Sequence, residues 1–206
     1  SSVNFNGRPA VYFDGTELLT NTSFSGIFGG ANSQQATIFS VLRHESGDID
    51  QAAFEIGNGV TYNTGMSELL ATTTLYSRFI KTGSDDITSV TSIPYKAIQT
   101  HLMNGSNHRF YSNGTSLGSL VAGTFDNALS RVDVGGIHQS LPAWRLKGEM
   151  SELIIYKLAL NNAQRIIVDN YLASKYGINI ANDVYAYQGT HSEDVAGIGR
   201  EDASNY

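Results

Sequence analysis

The sequence predicts an all-β chain of two packed antiparallel sheets, closed by one C-terminal helix. Three observations carry this. Short apolar runs recur between Gly- and Asn-rich turns along most of the chain. Asn-Gly pairs at 104–105 and 113–114 sit between such runs, a strong hairpin signal. Only the stretch from Gly148 to Ile178 changes to a helical period.

Taken in order, Val11 to Phe13 reads as a strand running into an Asp14-Gly15 turn, and Gly26 to Ser33 as a loop. Ala36 to Leu42 is a strand rich in β-branched residues. His44 to Gln51 is a polar loop, and Ala52 to Ile56 and Leu69 to Ile80 are further strand regions. Ser84-Asp85-Asp86 reads as a turn. Tyr95 to Met103, Arg109 to Ser112 and Thr115 to Leu120 form consecutive strands, and Arg131 begins another. In the closing element, Leu153 and Ile155 alternate with Ile154 and Tyr156, which loads both faces of one strand. Asn161 is a good N-cap with Gln164 at capping-box spacing, and Gly177 a left-handed stop. Ile167, Val168, Tyr171 and Leu172 are expected to form the buried face of that helix.

Three segments resemble the laminin-G-like jelly roll family of the concanavalin A-like lectin and glucanase superfamily. They are Asn6 to Gly15, Arg109 to Thr115, and Gly148 to Tyr156 with the helix that follows, together spanning residues 5 to 178. The resemblance implies an antiparallel jelly-roll sandwich used as a module of a secreted or surface protein, with a glycan or an extracellular protein as ligand. Some related domains bind calcium, and the superfamily also contains glycosidases and lyases, so fold does not settle activity. A non-catalytic binding or adhesion module is expected, with a fragment of a carbohydrate-active enzyme or a structural spacer domain as the alternatives. Residues 1–178 are expected to form the domain. The stretch 179–206 is an extension that either starts a next module or, through Val184 to Tyr187 or Val195 to Ile198, is expected to fold back over an exposed sheet edge.

Composition narrows the function classes. The chain has 206 residues and a net charge of -6 without a basic stretch, which argues against nucleic acid and anionic membranes. No apolar run approaches the ~20 residues of a membrane helix. Cysteine is absent, which excludes disulfides and thiolate metal sites. The chain begins Ser1-Ser2, as an excised or processed segment does, and a monomer is expected.

Candidate site residues follow from chemistry. Sugars are held by aromatic rings together with amides, carboxylates or guanidinium groups. His138, Gln139, Trp144 and Arg145 bring such groups together in one loop, with Tyr111 and Tyr62 as additions. Trp144 has a plainer reading as filler at the sandwich edge. Asp48 and Asp50 are the candidate calcium ligands, because calcium takes oxygens gathered in a loop.

No catalytic residues are expected. A retaining glycosidase needs two carboxylates about 5 Å apart. Glu149 and Glu152 are three apart, so a regular strand sends them to opposite faces unless a bulge intervenes. Gln99, His101, Arg109 and Tyr111 have the residue types of a lyase site on adjacent strands, and His101 and His108 flank one turn. Both sets also occur on ordinary solvated sheets.

Overall fold

The computed structural model describes residues 4–24, 35–45, 51–58, 66–71, 74–81, 83–89, 96–105, 107–121, 129–138 and 144–184. Strands are numbered in chain order. A short ribbon pairs β1 (Asn4–Phe5) with β2 (Arg8–Pro9). The first six-stranded sheet runs β12 (Thr115–Val121), β11 (Asn107–Ser112), β10 (Lys96–Asn104), β5 (Gln35–His44), β14 (Lys147–Tyr156), β3 (Val11–Asp14). The second runs β4 (Leu19–Asn21), β13 (Arg131–Val134), β6 (Gln51–Gly57), β7 (Met66–Ala71), β8 (Thr74–Lys81), β9 (Gly83–Ser89). All described pairings are antiparallel. With helix α1 (Asn162–Tyr176) the result is the expected two-sheet jelly-roll sandwich with one C-terminal helix among the described residues. That helix is neither long nor apolar enough to cross a membrane.

Strand alternation builds two apolar layers on the first sheet. Ala36, Ile38 and Leu42 point inward with Met103, Phe110 and Met150, and meet Phe54, Ile56 and Met66 of the second sheet. Phe39, Val41 and Ile98 point outward and meet Leu172, Ala173 and Tyr176 of α1. β14 serves both layers as its sequence implies, with Leu153 and Ile155 on the inner core and Ile154 and Tyr156 under the helix.

The helix caps form as expected. Asn161 Oδ1 accepts from Gln164 N at 2.9 Å, and Gln164 Oε1 accepts from Asn161 N at 3.0 Å. Gly177 stops the helix at φ 58°. Its buried face includes the expected Leu172 and Val168 but differs at the other two expected positions. Ile167 and Tyr171 are 48% and 42% exposed, whereas Arg165, Asp169, Leu172 and Tyr176 are buried. These four follow an i, i+4, i+7, i+11 stripe, and the Arg165–Asp169 ion pair lets two charged residues occupy it.

Other expectations need correction. The segment 84–86 is not a turn but part of β9, paired in register with β8. β14 is not regular: Met150 and Glu152 pair with the consecutive residues Leu42 and Val41, so Ser151 is a bulge. His101 and His108 are not surface residues. Both lie buried on the inner face, where the His101 ring stacks on Phe110 at 4.6 Å and its Nε2 meets Glu68 Oε2 at 3.0 Å. Beyond residue 178, Ala181 N donates to Asn113 O and Val184 N donates to Asn170 Oδ1, while 185–187 and 195–198, the segments expected to fold back, lie outside the described residues.

Candidate functional site

On the outer face of the first sheet, the β10–β11 hairpin presents three cross-strand pairs in succession. They are Thr100 with Tyr111, Leu102 with Arg109, and Asn104 with Asn107. The alternation that sends Phe110 and Met103 into the core sends these six outward. The first pair is covered by the start of α1. The other two form the floor of a cleft of about 470 Å³, whose opposite wall is Ala159, Leu160, Asn161, Asn162 and Arg165.

Thr37 holds that wall in place. Its hydroxyl donates to Leu158 O at 3.0 Å and accepts from Leu160 N at 2.9 Å, which staples the chain before the helix onto β5. Arg165 closes the inner end. It donates to Asp169 Oδ2 at 2.5 Å and Asn162 Oδ1 at 2.9 Å, and its guanidinium lies 4.1 Å from the Tyr111 ring centre. Asp169 also accepts from Thr100 Oγ1 at 3.2 Å. Burial outweighs the Arg165 charge and raises the Asp169 pKa above the usual carboxylate value.

The cleft therefore offers two guanidinium groups, several amides and an apolar strip from Leu102 and Leu160. Tyr111, expected as a stacking residue, lines it but has one face taken by Arg165. Gln99 and His101, grouped with Arg109 and Tyr111 in the sequence, point into the core instead. Period-two alternation along a hairpin fixed by Asn-Gly would have found Asn104, Asn107 and Arg109 together. Nothing in the sequence placed Arg165 beside them, because that contact is tertiary.

The loop residues lie elsewhere. His138 belongs to a polar cluster on the outer face of the second sheet, where Asp133 stands in register between Thr20 and Glu55. Arg131 donates to both Asp133 oxygens at 2.6 and 2.9 Å and lies 2.6 Å from His138 Nδ1. Glu55 Oε2 accepts from His138 N at 3.3 Å, and burial pushes the Glu55 pKa up to about 7. Trp144 packs on Ala52 and Ile137 with φ 61°, a rare conformation for a bulky residue. Arg145 is buried and donates to Ile137 O at 2.5 Å. Tyr111 and the His138–Trp144–Arg145 group thus sit on different sheets. Gln139, Tyr62, Asp48 and Asp50 lie outside the described residues. Among the described residues, no three His, Asp or Glu side chains converge as metal ligands.

The bulge at Ser151 brings Glu149 and Glu152 to the same face, contrary to the regular-strand expectation. Each is already engaged. Glu149 pairs with Arg43, while Glu152 Oε2 accepts from Lys175 Nζ at 2.8 Å and Tyr176 Oη at 2.7 Å. Burial and the Glu152 bond raise the Tyr176 pKa to about 12.

No family profile matches the chain, and no curated protein matches it in sequence. Solved structures do match in shape. The carbohydrate-binding module CBM40 of Ruminococcus gnavus IT-sialidase aligns with a TM-score of 0.57 at 15% identity, over 73% of this chain and 98% of the module. The NanB sialidase of Streptococcus pneumoniae aligns with a TM-score of 0.60 at 13% identity, over 74% of this chain. The match covers only 26% of that sialidase, so the chain spans about a quarter of its length. The binding domain of Botulinum neurotoxin DC, solved with rat synaptotagmin II, aligns with a TM-score of 0.57 at 16% identity, over 75% of this chain and 40% of that one. At these identities the likeness is one of fold, and the chain shares the β-sandwich fold of the matched regions.

Proposed function

We propose that the protein is a non-catalytic carbohydrate-binding module, acting outside the cell as part of a larger protein. The cleft over Leu102–Arg109 and Asn104–Asn107 is its binding site. The observation that carries this reading is the lining itself. Planar amides and guanidinium groups supply hydrogen bonds for sugar hydroxyls, beside an apolar strip for a ring face. The structural neighbours add support, since the Ruminococcus gnavus module was solved bound to α2,3-sialyllactose. Its TM-score with this chain is 0.54 at 14% identity, over 69% of this chain and 94% of the module.

A binding role fits the carboxylates better than hydrolysis does. Glu149 and Glu152 are each held by a cation. Glu55 and Asp133 are cross-strand neighbours, but both are buried and Asp133 is bridged by Arg131. Among the described residues, the cleft lining contains no Asp or Glu.

A glycan array probed with the protein tests the reading. Binding should appear, and Asn104→Ala with Asn107→Ala should abolish it while leaving the melting temperature nearly unchanged, because both side chains are exposed. A blank array, or binding indifferent to both substitutions, would discard the cleft. Sugar released from a bound glycan would show an enzyme instead.

A further inference from the structure

We propose that the sugar taken by this cleft carries an acid group, and that Arg109 holds it. The inference rests on the reading of the cleft as a glycan site and adds the class of glycan. Arg109 is exposed on β11, and no partner for it is present among the described residues. Its cross-strand neighbours are Leu102 and Ser119, and its neighbours along the same face are Asn107 and Tyr111, all uncharged. The second guanidinium, Arg165, is already neutralised by Asp169. Among the described residues, the cleft thus carries about one uncompensated positive charge, in a chain whose net charge is -6.

Filling the cleft strips water from Arg109. A neutral sugar replaces that water with ordinary hydroxyl bonds and leaves the charge unpaired, which is costly once desolvated. A carboxylate or sulfate neutralises it, and a guanidinium fork matches two oxygens of either group. The usual alternative for a neutral sugar is to stack on an aromatic ring. Among the described residues, the only aromatic one in the lining is Tyr111, which is buried and has Arg165 on one face. The cleft is therefore built for charge pairing more than for stacking.

The test is an array of neutral, carboxylated and sulfated glycans at physiological salt, followed by titration of the strongest binder. Acidic glycans should dominate, and whether they are carboxylated or sulfated identifies the source of the acid group. Arg109→Gln should weaken the strongest binder about tenfold or more, the scale of one charge-assisted bond, with Arg109→Lys in between. Removing the acid group from that glycan, by methyl esterification or desulfation, should weaken wild-type binding by a similar factor and leave Arg109→Gln almost unaffected. Neutral glycans as the strongest binders would overturn the acid-group inference and keep the sugar reading. So would acidic binders indifferent to Arg109→Gln. A blank array would overturn the sugar reading itself.

Discussion

The guanidinium of Arg165 lies 4.1 Å from the centre of the Tyr111 ring and 2.5 Å from Asp169. One side chain thus joins helix to sheet, shields the tyrosine and ends the cleft. Its partner Asp169 is fully buried, so the ion pair is costly to break from one side. Arg165→Ala should destabilise the protein by about 3–5 kcal/mol near neutral pH. Because Asp169 already has a raised pKa, losing the arginine should raise it further. The penalty should therefore shrink as pH falls and Asp169 protonates. Thermal denaturation of the variant across pH checks both the size and the direction.

The helix offers a paired comparison. Leu172 is fully buried between α1 and the first sheet, whereas Tyr171 is 42% exposed with the Lys175 ammonium 5.4 Å from its ring centre. Leu172→Ala should cost about 2–5 kcal/mol. Tyr171→Ala should cost under about 1 kcal/mol. Chemical denaturation of the two variants side by side decides; equal losses would contradict the exposed position of Tyr171.

Glu55 predicts a pH dependence. Its folded pKa of about 7 lies above its ordinary value of 4.5, so the folded chain binds more protons than the unfolded chain between those values. Stability from this group is therefore full below about pH 4.5 and is lost as pH rises through about 7. The loss amounts to a few kcal/mol, at roughly 1.4 kcal/mol for each tenfold difference in proton affinity between the folded and unfolded chain. Glu55→Gln keeps the acceptor for His138 N and removes the charge. The variant should match wild type at low pH and be more stable at pH 8, with a flatter melting profile between.

The capping box should be measurable too. Asn161→Ala removes the acceptor for Gln164 N and should cost about 1 kcal/mol, with Asn161→Ser largely restoring it. Urea midpoints for the three proteins test this.

Much of this was legible in the sequence. The hairpin turns, the caps of α1 and the two-faced β14 follow from local rules, since Asn-Gly, Asn161 to Gln164, Gly177 and Leu153 to Tyr156 each act within a few residues. The helix face did not. Hydropathy favoured Ile167 and Tyr171, while the buried stripe holds Arg165 and Asp169, whose pairing makes them tolerable inside. Ser151 was likewise hidden, because a bulge is a property of two strands and leaves no mark on one. The site divided in the same way. Tyr111 was picked for its ring, and its real neighbours come from a hairpin rung and from a helix more than fifty residues later. The His138 loop led to a separate cluster, because nearness in sequence around a turn says nothing about which sheet the turn borders.

The Thr37 staple has a consequence for how such a cleft changes size. Both of its hydrogen bonds hold residues 158 to 160 against β5, and the Asn161 cap sets where coiling begins. One further helical turn would advance the start by about 5.4 Å and reshape the wall that Ala159 to Asn162 give the cleft. Thr37 and Asn161 together therefore act as a ruler for the cleft. Changes that lengthen or shorten the helix at this end would retune which ligands enter, while the sheets and their core stay as they are.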